Sequence, residues 1–289
     1  MSLNKKITRR TALEYIVMGL VVFARPSNLF GSKREYLSYV NATTEDVTRY
    51  LKNIYCLKTY AEYSFKKEKK NVLMCFSTAT AYKKGHLWAS KHATYPHSYK
   101  EEKERKKEIP KKAKFNRYIH VLTRGISNKL EDNILVKPLQ KFESLDLAIL
   151  YTNHTFDYMP FKVGDSDELK PGDFVHIISY PLVYINGYPP GFKKMVSGGM
   201  VSSTELTDEN KLGGNIIINA AVNQGSSGSP VLATNKESEL ELVGIYHKPL
   251  RNAINMNLVI PINRVKKRLW KWKINTKNLF ILLFYLFYF

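Results

Sequence analysis

A glycine-rich turn with three serines raises the question of a hydroxyl nucleophile. The segment Asn219–Leu232 reads NAAVNQGSSGSPVL, and Ser227 is the middle serine of the three. A serine hydroxyl attacks a carbonyl group only when a base accepts its proton and a carboxylate holds that base in the required tautomer. Glycine, asparagine and serine are equally typical of an ordinary turn. The decision therefore depends on whether the chain supplies the base and the carboxylate.

His92 and Asp146 are the candidates for these two roles. His92 follows the short apolar run Leu87–Ala89, where a strand end anchors a side chain and leaves it accessible. Asp146 lies at the mouth of an otherwise apolar strand in SLDLAIL, and a partly buried carboxylate needs a proton donor. The chain order His92, Asp146, Ser227 is that of chymotrypsin-type enzymes, and the G-x-S-x-G elbow of α/β-hydrolases is absent.

Short apolar runs separated by turn residues must position these side chains. Such runs, without long helical segments between them, predict a closed or sandwiched antiparallel β architecture. The predicted strands are Val72–Phe76, Leu87–Ala89, Ile119–Leu122, Leu147–Tyr151, Phe174–Ser179, Met195–Ser202, Ile216–Ala221, Pro230–Ala233, Leu240–Tyr246 and Leu258–Ile260.

A helix is predicted before the strands, and a charged loop interrupts them. A start at Thr43 or Thr44 gives the helix an apolar face of Val47, Leu51, Ile54 and Tyr55. Tyr99–Phe115 mixes charges without apolar periodicity, which is typical of a solvated loop or a short exposed helix. A boundary between two lobes is expected near Tyr158–Gly164.

Composition excludes a disordered chain and a disulfide scaffold. The 289 residues are 44% hydrophobic and carry a formal net charge of +20. The excess of basic residues indicates attraction to anionic surfaces, although a solvated basic surface explains it more simply. Two cysteines, Cys56 and Cys75, leave one disulfide open. The spacing of His86, His92 and His97 fits no common metal pattern, so neither a metal nor a cofactor is expected.

Both ends of the chain differ from a globular core. A basic start followed by the largely apolar run Tyr15–Ala24 has the layout of an export signal over residues 1–30, and a packed helix is the alternative. At the other end, the apolar segment Leu279–Phe289 follows RVKKRLWKWK. An anchor in an anionic membrane surface and a core strand both remain open for this tail.

Seven segments in one order resemble trypsin-like serine proteases of the HtrA (Deg) group. Single motifs of this kind are weak, whereas seven in the family's order are strong. They are GHLWASKHA (Gly85–Ala93), LDLAIL (Leu145–Leu150), LKPGDFVHIISYP (Leu169–Pro181), VSGGMVSS (Val196–Ser203), NAAVNQGSSGSPVL (Asn219–Leu232), LVGIY (Leu242–Tyr246) and VIPINRVKKRL (Val259–Leu269).

The resemblance implies an all-β chain of two antiparallel β-barrels with short flanking helices. It implies Ser227 as nucleophile, His92 as general base and acid, Asp146 as orienting carboxylate, and the backbone N–H groups of Gly225 and Ser227 as oxyanion hole. The expected division is an export segment at 1–30, a helical lead-in at 31–56, barrels at 57–160 and 161–270, and a basic, apolar tail at 271–289. Twenty residues after Leu269 are too few for a PDZ domain.

Substrate preference is predicted from three positions. Ala221 stands six residues before Ser227, where relatives with basic specificity place an acid, so a neutral, small P1 residue is expected. Tyr246 and His247 lie on the strand expected to pair with substrate backbone. His247 is interpreted either as a polar wall of the pocket, as in viral relatives that cut after glutamine, or more simply as a surface histidine.

The leading hypothesis is an exported serine endopeptidase that acts on protein or peptide substrates. The alternative is an inactive trypsin-like module that binds a peptide or an anionic surface. A membrane surface is the more plausible anion, since we do not expect a nucleic-acid partner. The resemblance also leaves room for a homo-oligomer, which no residue demonstrates.

Overall fold

The structure, a computed structural model, describes most of the chain between residues 47 and 269. The described ranges are 47–96, 109, 112–123, 133–156, 158–183, 191–204, 215–237, 239–250 and 253–269. The predicted export segment 1–30, most of the charged loop 99–115 and the tail 271–289 lie outside the described residues.

Six antiparallel strands close the first barrel. They are β1 (Ile54–Phe65), β2 (Glu68–Lys83), β3 (His86–Ser90), β4 (Lys114–Thr123), β5 (Ile134–Phe142) and β6 (Leu147–Tyr151), in the order β1-β2-β3-β6-β5-β4. Alternation along a strand sends successive side chains to opposite faces. On β3, Leu87 and Ala89 fill the barrel interior, whereas Trp88 between them points to the other face and joins a different apolar cluster.

Six further strands close the second barrel, and two short strands form a small separate sheet. The barrel strands are β7 (Phe174–Ser179), β10 (Met195–Ser203), β11 (Ile216–Ala220), β12 (Pro230–Thr234), β13 (Leu240–Pro249) and β14 (Met256–Pro261), in the order β10-β11-β14-β13-β12-β7. The small sheet pairs β8 (Leu182–Val183) with β9 (Gly191–Phe192). The interior of the second barrel is formed by apolar side chains such as Ile177, Ile218 and Val243.

The barrels pack on each other through a shared apolar cluster. Trp88 and Ile149 from the first barrel lie in one buried cluster with Ile178, Leu232 and Ile245 from the second. Strands that bury one face inside a barrel and the other against a second barrel must be apolar on both faces. The short, almost wholly apolar strands β3 and β6 meet this requirement. The site described below lies where these strands end.

The two-barrel, antiparallel fold is confirmed, and each predicted strand coincides with an observed one, although the predicted strand Ile216–Ala221 extends one residue past β11. Four observed strands have no counterpart among those predicted: β1, β5, β8 and β9. The predicted lead-in helix is wrong at its end, because the helical segment covers 47–53 and Ile54 and Tyr55 begin β1. Their backbones pair with Thr80 and Ala79 of β2, and sheet pairing outweighs the helical spacing of these apolar residues.

Three smaller features complete the fold. The helix α1 (Lys91–Thr94) follows β3 directly, and α2 follows β14 at 262–269. Cys56 lies opposite Thr78 and Cys75 opposite Thr59 in the β1–β2 pairing, and no disulfide joins the two cysteines. Burial raises the pKa of the Cys56 thiol to about 12. Within the described residues, no helix has the length and apolar character that crossing a membrane requires.

Candidate active site

The ends of β3 and β6 bring His92 and Asp146 together. These strands are antiparallel, and Ser90 opposite Leu147 is their last paired position. The N–H of Lys91 donates to the Asp146 carbonyl oxygen at 2.8 Å, which continues the ladder by one step. His92 follows immediately in α1. Two residues that are 54 positions apart in sequence therefore lie side by side at one barrel edge.

Asp146 receives two hydrogen bonds from His92. The backbone N–H of His92 donates to Asp146 Oδ1 at 3.0 Å, and its ring Nδ1 lies 2.5 Å from Oδ2. Asp146 has left-handed backbone geometry, with φ 50° and ψ 38°, at the end of the short 3₁₀ turn Glu143–Leu145. Aspartate tolerates this geometry better than most residues. The turn and the strand ladder thus aim the carboxylate at the histidine.

A second histidine contacts the same carboxylate oxygen. His247 Nε2 lies 3.1 Å from Asp146 Oδ2, and the His247 side chain is 4% exposed. The interpretation of His247 as a surface histidine is therefore wrong. The reason is that this side chain of β13 points toward Asp146 of the first barrel and is buried between the two barrels.

Asp146 is held in its ionised form by these contacts. Burial alone raises the pKa of a carboxyl group, since it removes water from the charge. For Asp146 that effect is outweighed by the hydrogen bonds from His247 and His92 and by their electrostatic attraction, so its pKa is well below the usual range. The carboxylate is therefore charged at every pH at which the protein is expected to work.

The three serines of the glycine-rich turn differ in exposure. Ser226 and Ser229 are fully buried, and the Ser229 hydroxyl donates to the Ser226 carbonyl oxygen at 2.6 Å. Ser227 is half-buried. Gly225 precedes Ser226 and Gly228 follows Ser227. Their φ angles are +93° and +90°, a backbone region that residues with side chains rarely adopt. The turn geometry thus leaves the Ser227 side chain accessible.

Strands of the first barrel hold the turn from the other side. The Thr80 hydroxyl and the Trp88 indole N–H each donate to the Gly228 carbonyl oxygen at 3.1 Å. The Thr78 N–H donates to the Ser227 carbonyl oxygen at 3.0 Å, and its hydroxyl donates to that of Gly225 at 2.8 Å. Four donors from one barrel therefore fix a loop of the other.

The same packing brings the serine turn to the histidine. A Cβ atom added to Gly228 would lie 3.1 Å from the backbone N of Ser90 and 3.2 Å from Cα of Ala89. Ser227 immediately precedes Gly228, and His92 comes two residues after Ser90. All three residues predicted to act together therefore lie at one junction between the barrels.

Two peptide groups in the turn are oriented by bonds to their carbonyl oxygens. The Gln224 oxygen accepts from the Leu182 N–H at 2.8 Å, and the Ser226 oxygen accepts from the Ser229 N–H at 3.1 Å. In a trans peptide the N–H points away from the C=O. The N–H groups of the next residues, Gly225 and Ser227, therefore point away from these partners.

The remaining predicted residues are divided between surface and core. Ala221 is exposed. Tyr246 is 3% exposed and its hydroxyl donates to Asn257 Oδ1 at 3.1 Å, so its side chain belongs to the interior of the second barrel. Its position inside the second barrel follows from strand alternation, which sends the side chain of its neighbour His247 the opposite way. Burial also raises the Tyr246 pKa.

Among the described residues, one group of three side chains has the composition of a metal site. The candidate ligand atoms of His92, Asp146 and His247 all lie within 4.8 Å of one another. One ring nitrogen of each histidine, Nδ1 of His92 and Nε2 of His247, lies at hydrogen-bonding distance from Asp146 Oδ2. These hydrogen bonds explain why the three side chains lie close together. We therefore describe the group as a hydrogen-bonded cluster.

Comparison with known proteins agrees with this arrangement. Residues 112–245 match the family described as the trypsin-like peptidase domain, a range that includes Asp146 and Ser227 and begins after His92. This match covers slightly less than half of the chain. A similar protein is the "Probable periplasmic serine endoprotease DegP-like" of Rickettsia prowazekii (strain Madrid E), which is 28% identical over 151 residues. The match covers 49% of this chain and 27% of that relative.

These matches support the coarse predictions. They agree with the resemblance to trypsin-like serine proteases of the HtrA/Deg-like group and with a serine protease as the enzyme class. The two closed barrels agree with the predicted fold. The individual catalytic roles belong to the proposal below.

Sequence reasoning missed the groups that support the site. Thr78, Thr80 and Trp88 bond to the serine turn from about 140 residues away, and threonine or tryptophan in a strand is unremarkable in sequence. The contact of His247 with Asp146 was also missed. Its only signal was a histidine in an apolar strand, LVGIYH, at a position where a buried polar group needs a partner.

The contact of Gly228 with the first barrel can be tested by adding one methyl group. In Gly228→Ala the Cβ would lie 2.3 Å from the Thr78 carbonyl oxygen, in a backbone region unfavourable to alanine. We expect a loss of several kcal/mol in the free energy of unfolding. Gly172→Ala is the matched control, because Gly172 has φ +97° and open space around its Cβ. Its cost should be about 1–2 kcal/mol by denaturant titration, and equal costs would contradict the described packing.

The charge on Asp146 predicts a pH-dependent contribution to stability. Because its folded pKa is lowered, the ionised group stabilises the fold above the unfolded value of about 3.9. That stabilisation is lost as the pH falls through the folded pKa. The difference in unfolding free energy between wild type and Asp146→Asn should therefore be largest above about pH 5 and shrink below pH 4. Exposed Asp167→Asn serves as control, and a pH-independent difference for Asp146→Asn would refute the assignment.

Proposed function

We propose that the chain is a serine endopeptidase in which Ser227 is the nucleophile, His92 the general base and acid, and Asp146 the orienting carboxylate. The observation that carries the proposal is the bond between His92 Nδ1 and Asp146 Oδ2, at the barrel edge against which Gly228, the neighbour of the half-buried Ser227, packs. Histidine, aspartate and serine in this order and fold are the elements of hydroxyl activation.

The tautomer of His92 follows from the carboxylate. An ionised Asp146 can only accept, so Nδ1 of His92 carries the proton and Nε2 carries the basic lone pair. In the proposed reaction Nε2 takes the proton of the Ser227 hydroxyl while Oγ bonds to the substrate carbonyl carbon. The proton then passes to the leaving amine as the peptide bond breaks. Water, deprotonated by the same nitrogen, releases the acyl group and restores the serine.

The backbone N–H groups of Gly225 and Ser227 form the proposed oxyanion hole. The carbonyl groups of the preceding residues, Gln224 and Ser226, are bonded on the protein side, which leaves both N–H groups directed away from those bonds. A Cβ on Gly225 would lie 2.7 Å from the Tyr180 carbonyl oxygen and 3.0 Å from the Phe76 ring. The close approach of this loop to the first barrel therefore requires glycine. Prearranged donors of this kind stabilise the negative charge that develops on the substrate oxygen.

The proposed enzyme is exported, and its proposed substrates are proteins or peptides with a neutral, small P1 residue. Ala221 is exposed and offers no carboxylate to a basic side chain. Export is supported by the name of the Rickettsia relative, which describes a periplasmic protein. Membrane association and assembly into oligomers remain predictions from the sequence.

Labelling with a fluorophosphonate probe tests the nucleophile directly. The wild type should be labelled at Ser227, because the probe phosphonylates an activated serine hydroxyl. Ser227→Ala should not be labelled, and Asp146→Asn should react about 10⁴-fold more slowly, since the histidine would lose its required tautomer. Ser229→Ala is the control for a buried serine of the same turn and should keep the wild-type site. Equal labelling of wild type and Ser227→Ala would end the proposal.

A single carboxylate at position 221 should change the preferred substrate. In Ala221→Asp we expect cleavage of a peptide library to shift toward Lys and Arg at P1, because the new charge attracts a basic side chain. Ala221→Asn, of similar size but neutral, should leave the preference for neutral P1 residues unchanged. An identical cleavage profile for wild type and Ala221→Asp would show that position 221 does not face the P1 side chain.

A further inference from the structure

His247 is placed by an irregularity in β13. Tyr246 pairs with Val259 and Lys248 with Leu258 in the ladder with β14, so His247 is an extra residue without a partner on β14. Such bulges are frequent near active sites, where they redirect one side chain. Here the redirected ring lies against Asp146 Oδ2. The second barrel thereby contributes a side chain to a carboxylate that belongs to the first.

The hydrogen-bonding state of His247 follows from its surroundings. The carboxylate of Asp146 is ionised, so the 3.1 Å contact requires a proton on His247 Nε2. His247 Nδ1 is buried and has no hydrogen-bond partner among the described residues. The contact therefore assigns the donor role to Nε2 of His247.

We propose that His247 is a positioning residue of the peptidase site, which donates from Nε2 to Asp146 and holds the carboxylate in the orientation that His92 requires. The inference rests on the proposed function and adds a residue to it. His247 does not act on substrate itself, because its side chain is 4% exposed. It acts through Asp146, whose Oδ2 accepts from both rings and whose Oδ1 accepts from the His92 backbone.

The shared oxygen has a further consequence for the base. Each donor draws negative charge from the carboxylate, so the bond from His247 weakens the hold of Asp146 on a protonated His92. Loss of the His247 bond should strengthen that attraction and change the pH dependence of the reaction on its acid side. A residue that only fills space would not produce this change.

The charged and titratable groups around His247 affect the design of the test. Glu143, on the turn that precedes Asp146, bonds to Lys91 of α1 and lies 3.1 Å from Lys141 of β5. The rings of His92 and His247 are 6.5 Å apart between centroids and tilted by 39°. Lys248, next to His247 on β13, is half-buried. A charge change at these positions would affect both rings, so the test alters His247 alone.

Two substitutions separate the donated hydrogen bond from the shape of the ring. His247→Gln keeps a neutral N–H donor at nearly the place of Nε2, and His247→Phe keeps a ring but removes the donor. His176→Phe is the control, because His176 is also a largely buried histidine of the second barrel and lies on β7, outside the cluster. The rate of fluorophosphonate labelling is measured for each protein across pH, and thermal unfolding checks that each is folded.

The proposal predicts a defined pattern of rates. His247→Phe should be labelled about 10- to 100-fold more slowly than wild type, the effect of losing one hydrogen bond to a charged group. The pH of half-maximal labelling on the acid side should also rise. His247→Gln should restore most of the rate, and His176→Phe should match wild type. Wild-type labelling and an unshifted acid limb in His247→Phe would overturn the proposal, as would equal losses in His247→Phe and His176→Phe.

Nitrogen NMR of histidine-labelled protein keeps the two proposals distinguishable. The ¹⁵N shifts of the wild type report which ring nitrogen carries the proton, and we expect Nε2 for His247 and Nδ1 for His92. A proton on His247 Nδ1 alone would overturn this inference even if no variant folded. If the wild type were not labelled by the probe, the proposed peptidase function would fail, and the NMR result would still decide the role of His247.

Discussion

The buried carboxylate of Asp146 is the constraint on which the site depends. A charge at this depth is tolerated only when hydrogen bonds replace the lost water, and three donors do so here: the backbone and ring of His92 and the ring of His247. Two of the donors come from the first barrel and one from the second. The carboxylate therefore joins the barrels electrostatically at the same point where the chemistry is expected.

The serine turn is held at the same junction, with the roles of the two barrels exchanged. Its residues belong to the second barrel, but the donors that hold its carbonyl groups, Thr78, Thr80 and Trp88, belong to the first. Each barrel thus supplies groups that orient a functional element of the other. The apolar cluster around Trp88, Ile149 and Leu232 keeps the interface in register. A small shift between the barrels would disturb the carboxylate, the histidine and the serine together.

The sequence predicted the elements that carry local signals and missed those that depend on distant contacts. Apolar runs such as those around Leu87 and Leu147 predicted β3 and β6, and the residues that follow them led to His92 and Asp146. β1 was misread at its start because Ile54 and Tyr55 fit a helical face as well as a strand. The contact of His247 with Asp146 depends on the β13 bulge, which no local sequence pattern indicates. Hydrogen bonds between side chains and backbone groups about 140 residues apart produce no periodic pattern in the sequence.

The central claim is that one hydroxyl, one imidazole and one carboxylate act as a unit beside two oriented N–H groups. A crystal structure of the protein after reaction with a fluorophosphonate tests it most directly. The account predicts phosphorus bonded to Ser227 Oγ, a phosphonyl oxygen within hydrogen-bonding distance of the Gly225 and Ser227 N–H groups, and the His92–Asp146 bond intact. An adduct on another residue, or a phosphonyl oxygen directed away from both N–H groups, would contradict it.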